Sequence, residues 1–105
     1  MEEWTKEEIR HTMAEQEHAF IYFYTPLCGT CQVAGRMLEI VEKITDTSIG
    51  KADLNYMPDL AMELKIESVP CLFILQKGVP AEKVYAFRSV PHLLEIIREY
   101  IGNNC

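Results

Sequence analysis

The sequence predicts an α/β domain in which a mixed central sheet carries helices on both faces. Three observations lead there. Two apolar runs of strand length, residues 19–24 and 71–75, are too continuous for half-exposed strands and read as buried ones. Apolar residues at helical spacing fill the interval between them. A turn signal at Lys77-Gly78-Val79-Pro80 then calls for an antiparallel return, so parallel crossovers and a hairpin must share one sheet.

The elements follow in order. Thr5 with Glu8 makes a capping-box signature, and Ile9 and Met13 recur at i and i+4, which predicts a short helix ending near Glu15, preceded by an edge strand at Trp4. Residues 19–24, rich in aromatics and ended by Thr25-Pro26, form a buried central strand. Val33, Met37, Ile40, Val41 and Ile44 fall at helical spacing and are expected to form the apolar face of a long helix, with Glu39, Glu42 and Lys43 opposite. Residues 48–53 carry a fainter strand pattern. Pro58 suits the first turn of a helix bearing Leu60, Ala61 and Leu64, and residues 71–76 form the second apolar strand. The turn leads to a last strand expected over residues 83–87. Ser89 then caps a final helix whose stripe is Leu93, Ile97, Tyr100 and Ile101, with Gly102 where a helix stops.

Composition narrows the function. The 105 residues fit one domain spanning 1–105, and 49% hydrophobic with 25% charged residues excludes a disordered or collagen-like chain. A net charge of −6 argues against a phosphate-neutralising surface, so nucleic acid is not an expected partner. Met1-Glu2-Glu3 is acidic where a signal peptide would be basic, and no apolar run nears the ~20 residues that span a bilayer. A cytoplasmic protein without a membrane partner is expected. Four cysteines are too few for a disulfide-dense scaffold, and two of them form Cys28-Gly29-Thr30-Cys31, a spacing suited to redox or metal chemistry.

The pair lies between a buried strand and a long helix. Cys28 should therefore sit at the helix N-terminus, where unpaired N–H groups and the dipole stabilise a thiolate, and is the expected nucleophile. Cys31, one helical turn on and turned inward, is suited to resolving a mixed disulfide. A closed metal site usually needs four ligands, yet Cys71 and Cys105 stand alone and His11, His18 and His92 have no ligand spacing, so no metal site is expected. Each histidine reads as a surface or capping residue, and Cys105 as without function.

Phe23, Cys28, Gly29 and Cys31, the Ser68-Val69-Pro70 segment before a strand, the strand residue Lys51 and the turn at Gly78 together resemble the thioredoxin family across nearly the whole chain. The resemblance implies a thioredoxin fold and a thiol-disulfide oxidoreductase acting on disulfide-containing protein substrates. No cofactor is expected. It further implies a monomer, re-reduced by an NADPH-dependent thioredoxin reductase or by a low-molecular-weight thiol. Pro70 should be cis and face the Cys pair, with the Val69 backbone pairing an extended substrate segment. Gly29 and Thr30 belong to the same substrate surface.

The sequence also departs from the family pattern. Tyr22 stands where the family has a buried aspartate, and a phenol is a poor base near neutrality, so Tyr22 is expected to be core. Lys51 thereby loses its acidic partner and becomes a solvated strand residue. Leu27 replaces a tryptophan and Thr30 a proline, and the Thr30 hydroxyl is placed to hydrogen-bond a thiolate. Arg36, beside Gly35, replaces a helix-kinking proline. Cys71, directly after Pro70, is expected in the core, with a redox-accessible third thiol as the alternative. For the whole chain the alternative is a thioredoxin-fold binding or adaptor module with a slow Cys pair.

Overall fold

In the computed structural model, which describes residues 1–102, the strand β2 (His18–Tyr24) lies at the centre of a five-stranded sheet. Cys105 lies outside the described residues. The chain runs β1 (Glu2–Glu3), α1 (Lys6–Glu15), β2, α2 (Gly29–Thr45), β3 (Gly50–Asp53), a short 3-10 turn (Leu54–Tyr56), α3 (Pro58–Glu63), β4 (Cys71–Gln76), β5 (Val79–Val84) and α4 (Val90–Tyr100). The strand order is β1-β3-β2-β4-β5, with β3 parallel to both β1 and β2, and β4 antiparallel to β2 and β5.

Strand periodicity explains the continuous apolar runs. Phe20 and Tyr22 point to one face of the sheet with Leu72 and Ile74, where Leu38 and Val41 of α2 and Leu93 and Ile97 of α4 cover them. Ala19, Ile21 and Phe23 point to the other face with Phe73 and Leu75, beneath Ile9 of α1 and Leu60 of α3. The caps form as the sequence implies. Thr5 and Glu8 exchange both hydrogen bonds of the capping box at 2.8 and 3.1 Å, and Ser89 Oγ accepts the His92 N–H at 3.2 Å. Gly102, at φ 75°, follows the last turn of α4. No helix among the described residues is long and apolar enough to cross a membrane. The three histidines sit apart, on α1, β2 and α4.

Three expectations change. The core face of α2 is Cys31, Ala34, Leu38 and Val41, whereas Val33, Ile40 and Ile44 are about half exposed. Small residues at 31 and 34 let the helix approach the sheet closely, and that packing outweighs the bulk of the β-branched residues. The last strand is Val79–Val84, not residues 83–87. Lys77 and Gly78 both adopt positive φ, 56° and 77°, which makes a two-residue hairpin loop and pairs Gln76 directly with Val79. Pro80 is tolerated because β5 is an edge strand. Trp4 lies just beyond β1, donating its N–H to the Lys51 carbonyl at 2.8 Å, and its ring covers Gly50.

Candidate active site

β2 ends at Tyr24, and Thr25-Pro26-Leu27 carries the chain from the C-terminal end of this central strand to Cys28, the N-cap of α2. Its backbone is extended, at φ −94° and ψ 108°, as an N-cap requires, and Cys28 Sγ takes the place of a capping oxygen by accepting the Cys31 N–H at 3.1 Å. Thr30 Oγ1 lies 3.4 Å from the same sulfur. A thiolate at this atom would meet helix N–H groups, a hydroxyl and the positive end of the dipole. Cys28 and Cys31 are joined in a disulfide with Cα atoms 5.2 Å apart. Cys31 is 3% exposed and packs into the core, while Cys28 is half-buried, so a partner from solution meets Cys28 first.

Beneath the pair, Tyr22 is buried, and its hydroxyl donates to the Cys31 carbonyl. Its ring stacks on Tyr24 at 5.8 Å and meets Phe87 edge-on at 6.0 Å. Burial pushes the Tyr22 phenol up to about 12, so it holds its own proton at neutral pH. Lys51, the register partner of Tyr22 on β3, is not merely solvated: its Nζ lies over the Tyr24 ring, 5.6 Å from the centroid. Tyr24 donates to Glu3 at 2.7 Å, and burial followed by that carboxylate raises its pKa. A cavity of about 310 Å³ beside Cys31 is lined by Met1, Tyr22, Arg36, Glu39 and Lys51.

The Val69-Pro70 bond, directly before β4, is cis. Val69 is half-buried against the same core as Cys28, and the Glu67 N–H at the start of this loop donates to the Tyr85 hydroxyl at 3.2 Å. Thr30 and Pro70 face a common groove. Gly29 is exposed, with nothing within 4 Å of the position a Cβ would take. Leu27 is 99% exposed at the rim. Cys71 is fully buried on the opposite face of the sheet from Cys31, and burial pushes its thiol up to about 11, partly offset by a hydrogen bond with Tyr85. The structure thus brings Cys28, Thr30 and Cys31 together, sets Pro70 with Thr30 on one groove, and places Cys71 in the core. Tyr85, Phe87 and Arg88 line the same groove as Thr30 and Pro70; a strand over residues 83–87 hides Tyr85 and Phe87, and Arg88 carries no motif of its own. Of the turn signal Lys77-Gly78-Val79-Pro80, only Lys77 and Gly78 form the loop, and β5 starts at Val79.

The sequence model of the family described as Thioredoxin matches residues 1–99. The thioredoxin-like protein YusE of Bacillus subtilis (strain 168) is 40% identical over 100 residues, which span 94% of this chain and 92% of that protein. The bifunctional thioredoxin reductase/thioredoxin of Mycobacterium leprae (strain TN) is 22% identical over 93 residues, covering 87% of this chain and 20% of that one. Among solved structures, chloroplastic thioredoxin z superposes with a TM-score of 0.84 at 26% identity, over 96% of this chain and 94% of its own.

Proposed function

We propose, from the premise that this chain belongs to the thioredoxin family and is a thiol-disulfide oxidoreductase, that Cys28 is its nucleophile and Cys31 its resolving thiol. The Cys28 thiolate attacks one sulfur of a substrate disulfide, forming a mixed disulfide and releasing the other sulfur as a thiolate. Cys31, deprotonated, then attacks Cys28 Sγ, and the second substrate sulfur leaves. Two electrons pass from the pair to the substrate, whose thiolates take up protons. Tyr22, which keeps its proton near neutrality, holds the Cys31 carbonyl rather than acting as the base.

The substrate is a protein disulfide presented in an extended segment. The Val69 backbone pairs with it beside Pro70, and Gly29 and Thr30 form the facing wall. Domain 1–105 acts as a monomer, since one Cys pair and one groove from a single chain complete the cycle. An NADPH-dependent thioredoxin reductase regenerates the dithiol, a reading supported by the Mycobacterium leprae protein whose name joins the two activities. A low-molecular-weight thiol is the other reductant. The site works in the cytoplasm, where such reductants keep thiols reduced.

One observation carries the assignment: Cys28 Sγ accepts the Cys31 N–H at 3.1 Å, while Cys31 itself is 3% exposed. Limiting iodoacetamide added to the reduced protein should label Cys28 first, and Cys31→Ser should trap a mixed disulfide with a protein substrate. First labelling of Cys31, or trapping by Cys28→Ser instead, would overturn the roles. Catalysed reduction of insulin by the parent chain tests the activity itself.

A further inference from the structure

Beside Thr30, whose Oγ1 is 3.4 Å from Cys28 Sγ, lies a groove of about 400 Å³. Val33 and Met37 of α2 line it with Thr30, and Pro70, Tyr85, Phe87 and Arg88 also line it. Arg88 is the one charged residue lining it. Its side chain is exposed and has no ion pair among the described residues, whereas Arg10 and Lys6 are paired with Glu63 and Asp59. Arg88 brings a positive charge to an otherwise uncharged groove on a chain of net charge −6.

The backbone holds it there. Arg88 adopts φ 59°, and the Ser89 N–H bonds the Phe87 carbonyl across it at 2.6 Å, a three-residue turn of the positive-φ kind. Glycine would occupy this state without strain, and arginine does not. The turn joins Phe87, buried against Tyr22, to Ser89, the cap of α4, so both flanks are fixed and only the central residue is free to vary. Strain retained beside a binding groove points to a use for the side chain.

Resting on the reading of Cys28 as nucleophile and of Thr30 and Pro70 as substrate surface, we propose that Arg88 is a specificity-determining residue. It selects protein disulfides in which an apolar side chain near the attacked cysteine enters the groove and an aspartate or glutamate beyond it pairs with the guanidinium. The planar fork matches a carboxylate in two hydrogen bonds. The acidic surface elsewhere repels acidic segments, so the local attraction sets which of them dock and in what orientation.

The test uses the full chain, reduced and then freed of reductant, in single turnovers with disulfide peptides that differ only in a Glu, Gln or Lys placed two or three residues from the cysteine. The parent should reduce the Glu peptide about two- to fivefold faster than the Gln peptide, with Lys slowest, and high salt should compress the series. Arg88→Gly, which suits the positive φ and keeps the turn, should flatten the ratios, Arg88→Lys should keep their order, and Arg88→Asp should reverse it. A flat series in the parent, or an order that survives Arg88→Gly, overturns the proposal. Failure of the parent to reduce the Gln peptide at all instead removes the reading of the Cys pair beneath it, and the proposal with it.

Discussion

Tyr22→Asp removes a ring that is 2% exposed, stacked on Tyr24 at 5.8 Å and edge-on to Phe87 at 6.0 Å. Loss of so buried an aromatic costs about 3–5 kcal/mol, and loss of the hydroxyl's bond to the Cys31 carbonyl about 1 kcal/mol more. The new carboxyl would be buried, which raises its pKa. Lys51 pairs with this position across β2 and β3, and both residues line the cavity beside Cys31, so the ammonium offsets part of the burial penalty. A net loss of about 4–6 kcal/mol leaves a domain folded where its stability lies in the middle or upper part of the ordinary range of about 5–15 kcal/mol. Urea denaturation measures that loss, and Tyr22→Phe, expected to cost about 1 kcal/mol, separates the hydroxyl from the ring. A carboxyl of raised pKa close to Cys31 is suited to taking the resolving thiol's proton, so insulin reduction and decay of a preformed mixed disulfide should both accelerate near neutral pH. If the variant is folded and no faster, proton transfer through this position does not limit the reaction. If it is folded with no loss of stability, the packing account of Tyr22 is wrong.

Gly50→Ala would place a Cβ 2.0 Å from the Trp4 ring, so the ring must leave its seat at a cost of about 2–3 kcal/mol. Trp4 is the one tryptophan in the chain, and its emission should shift to the red; unchanged emission would refute the contact. Burial raises Tyr22 to about 12 and Cys71 to about 11, so the folded chain holds these protons more tightly than the unfolded one. Their contribution is fully present below the unfolded values, near 9 and 10, and is lost as pH rises through 11 and 12. Urea midpoints taken from pH 8 upward should therefore fall, and a rise would contradict the assignment. Ser89→Ala removes the acceptor of the His92 N–H and should cost about 1 kcal/mol, read in the same denaturation assay.

Local signals were the legible part. Thr5 with Glu8 and Ser89 mark helix starts through hydrogen bonds made within a few residues, Pro58 marks one through its fixed φ and missing N–H, and β4 spans its apolar run and one residue more. The Cys pair and Pro70 were legible because a short motif carries them. Side-chain phase on α2 was not, because hydrophobicity alone favours Val33, Ile40 and Ile44, while the distance between helix and sheet favours Cys31 and Ala34. That displacement has a consequence for the site. Val33, freed from the core, and Met37, packed at its margin, line the same groove as Thr30. The rest of the groove's lining depended on the register of β5. A hairpin loop two residues long ends the strand at Val84 and releases Tyr85, Phe87 and Arg88 toward the active site. Register is a tertiary property, set by which pair of residues takes positive φ, and Lys77 gives no glycine-like warning of it.

The charge placement around α2 separates a structural cap from a chemical one. In α1 the first turn carries Glu7 and Glu8, which complement the helix dipole in the ordinary way. The first turn of α2 holds no acidic residue, although the chain has 16 of them, so the dipole and the free N–H groups remain available to the Cys28 sulfur. Thr30→Asp reverses that choice. Thr30 Oγ1 is 3.4 Å from Cys28 Sγ, so an aspartate carboxylate there would stand about 4 Å from the sulfur, and two unit charges at that distance in water repel by about 1 kcal/mol. Asp at this position satisfies the helix start at least as well as Thr, so stability should hold or rise slightly while the thiolate is disfavoured. Below the thiol's midpoint the thiolate fraction, and with it the rate of alkylation by iodoacetamide, should drop about fivefold in the reduced Cys31→Ser background. High salt should restore part of the rate by screening. An alkylation rate that is unchanged at low salt would mean that the helix terminus does not set the reactivity of Cys28, and the capping geometry would then be structural alone.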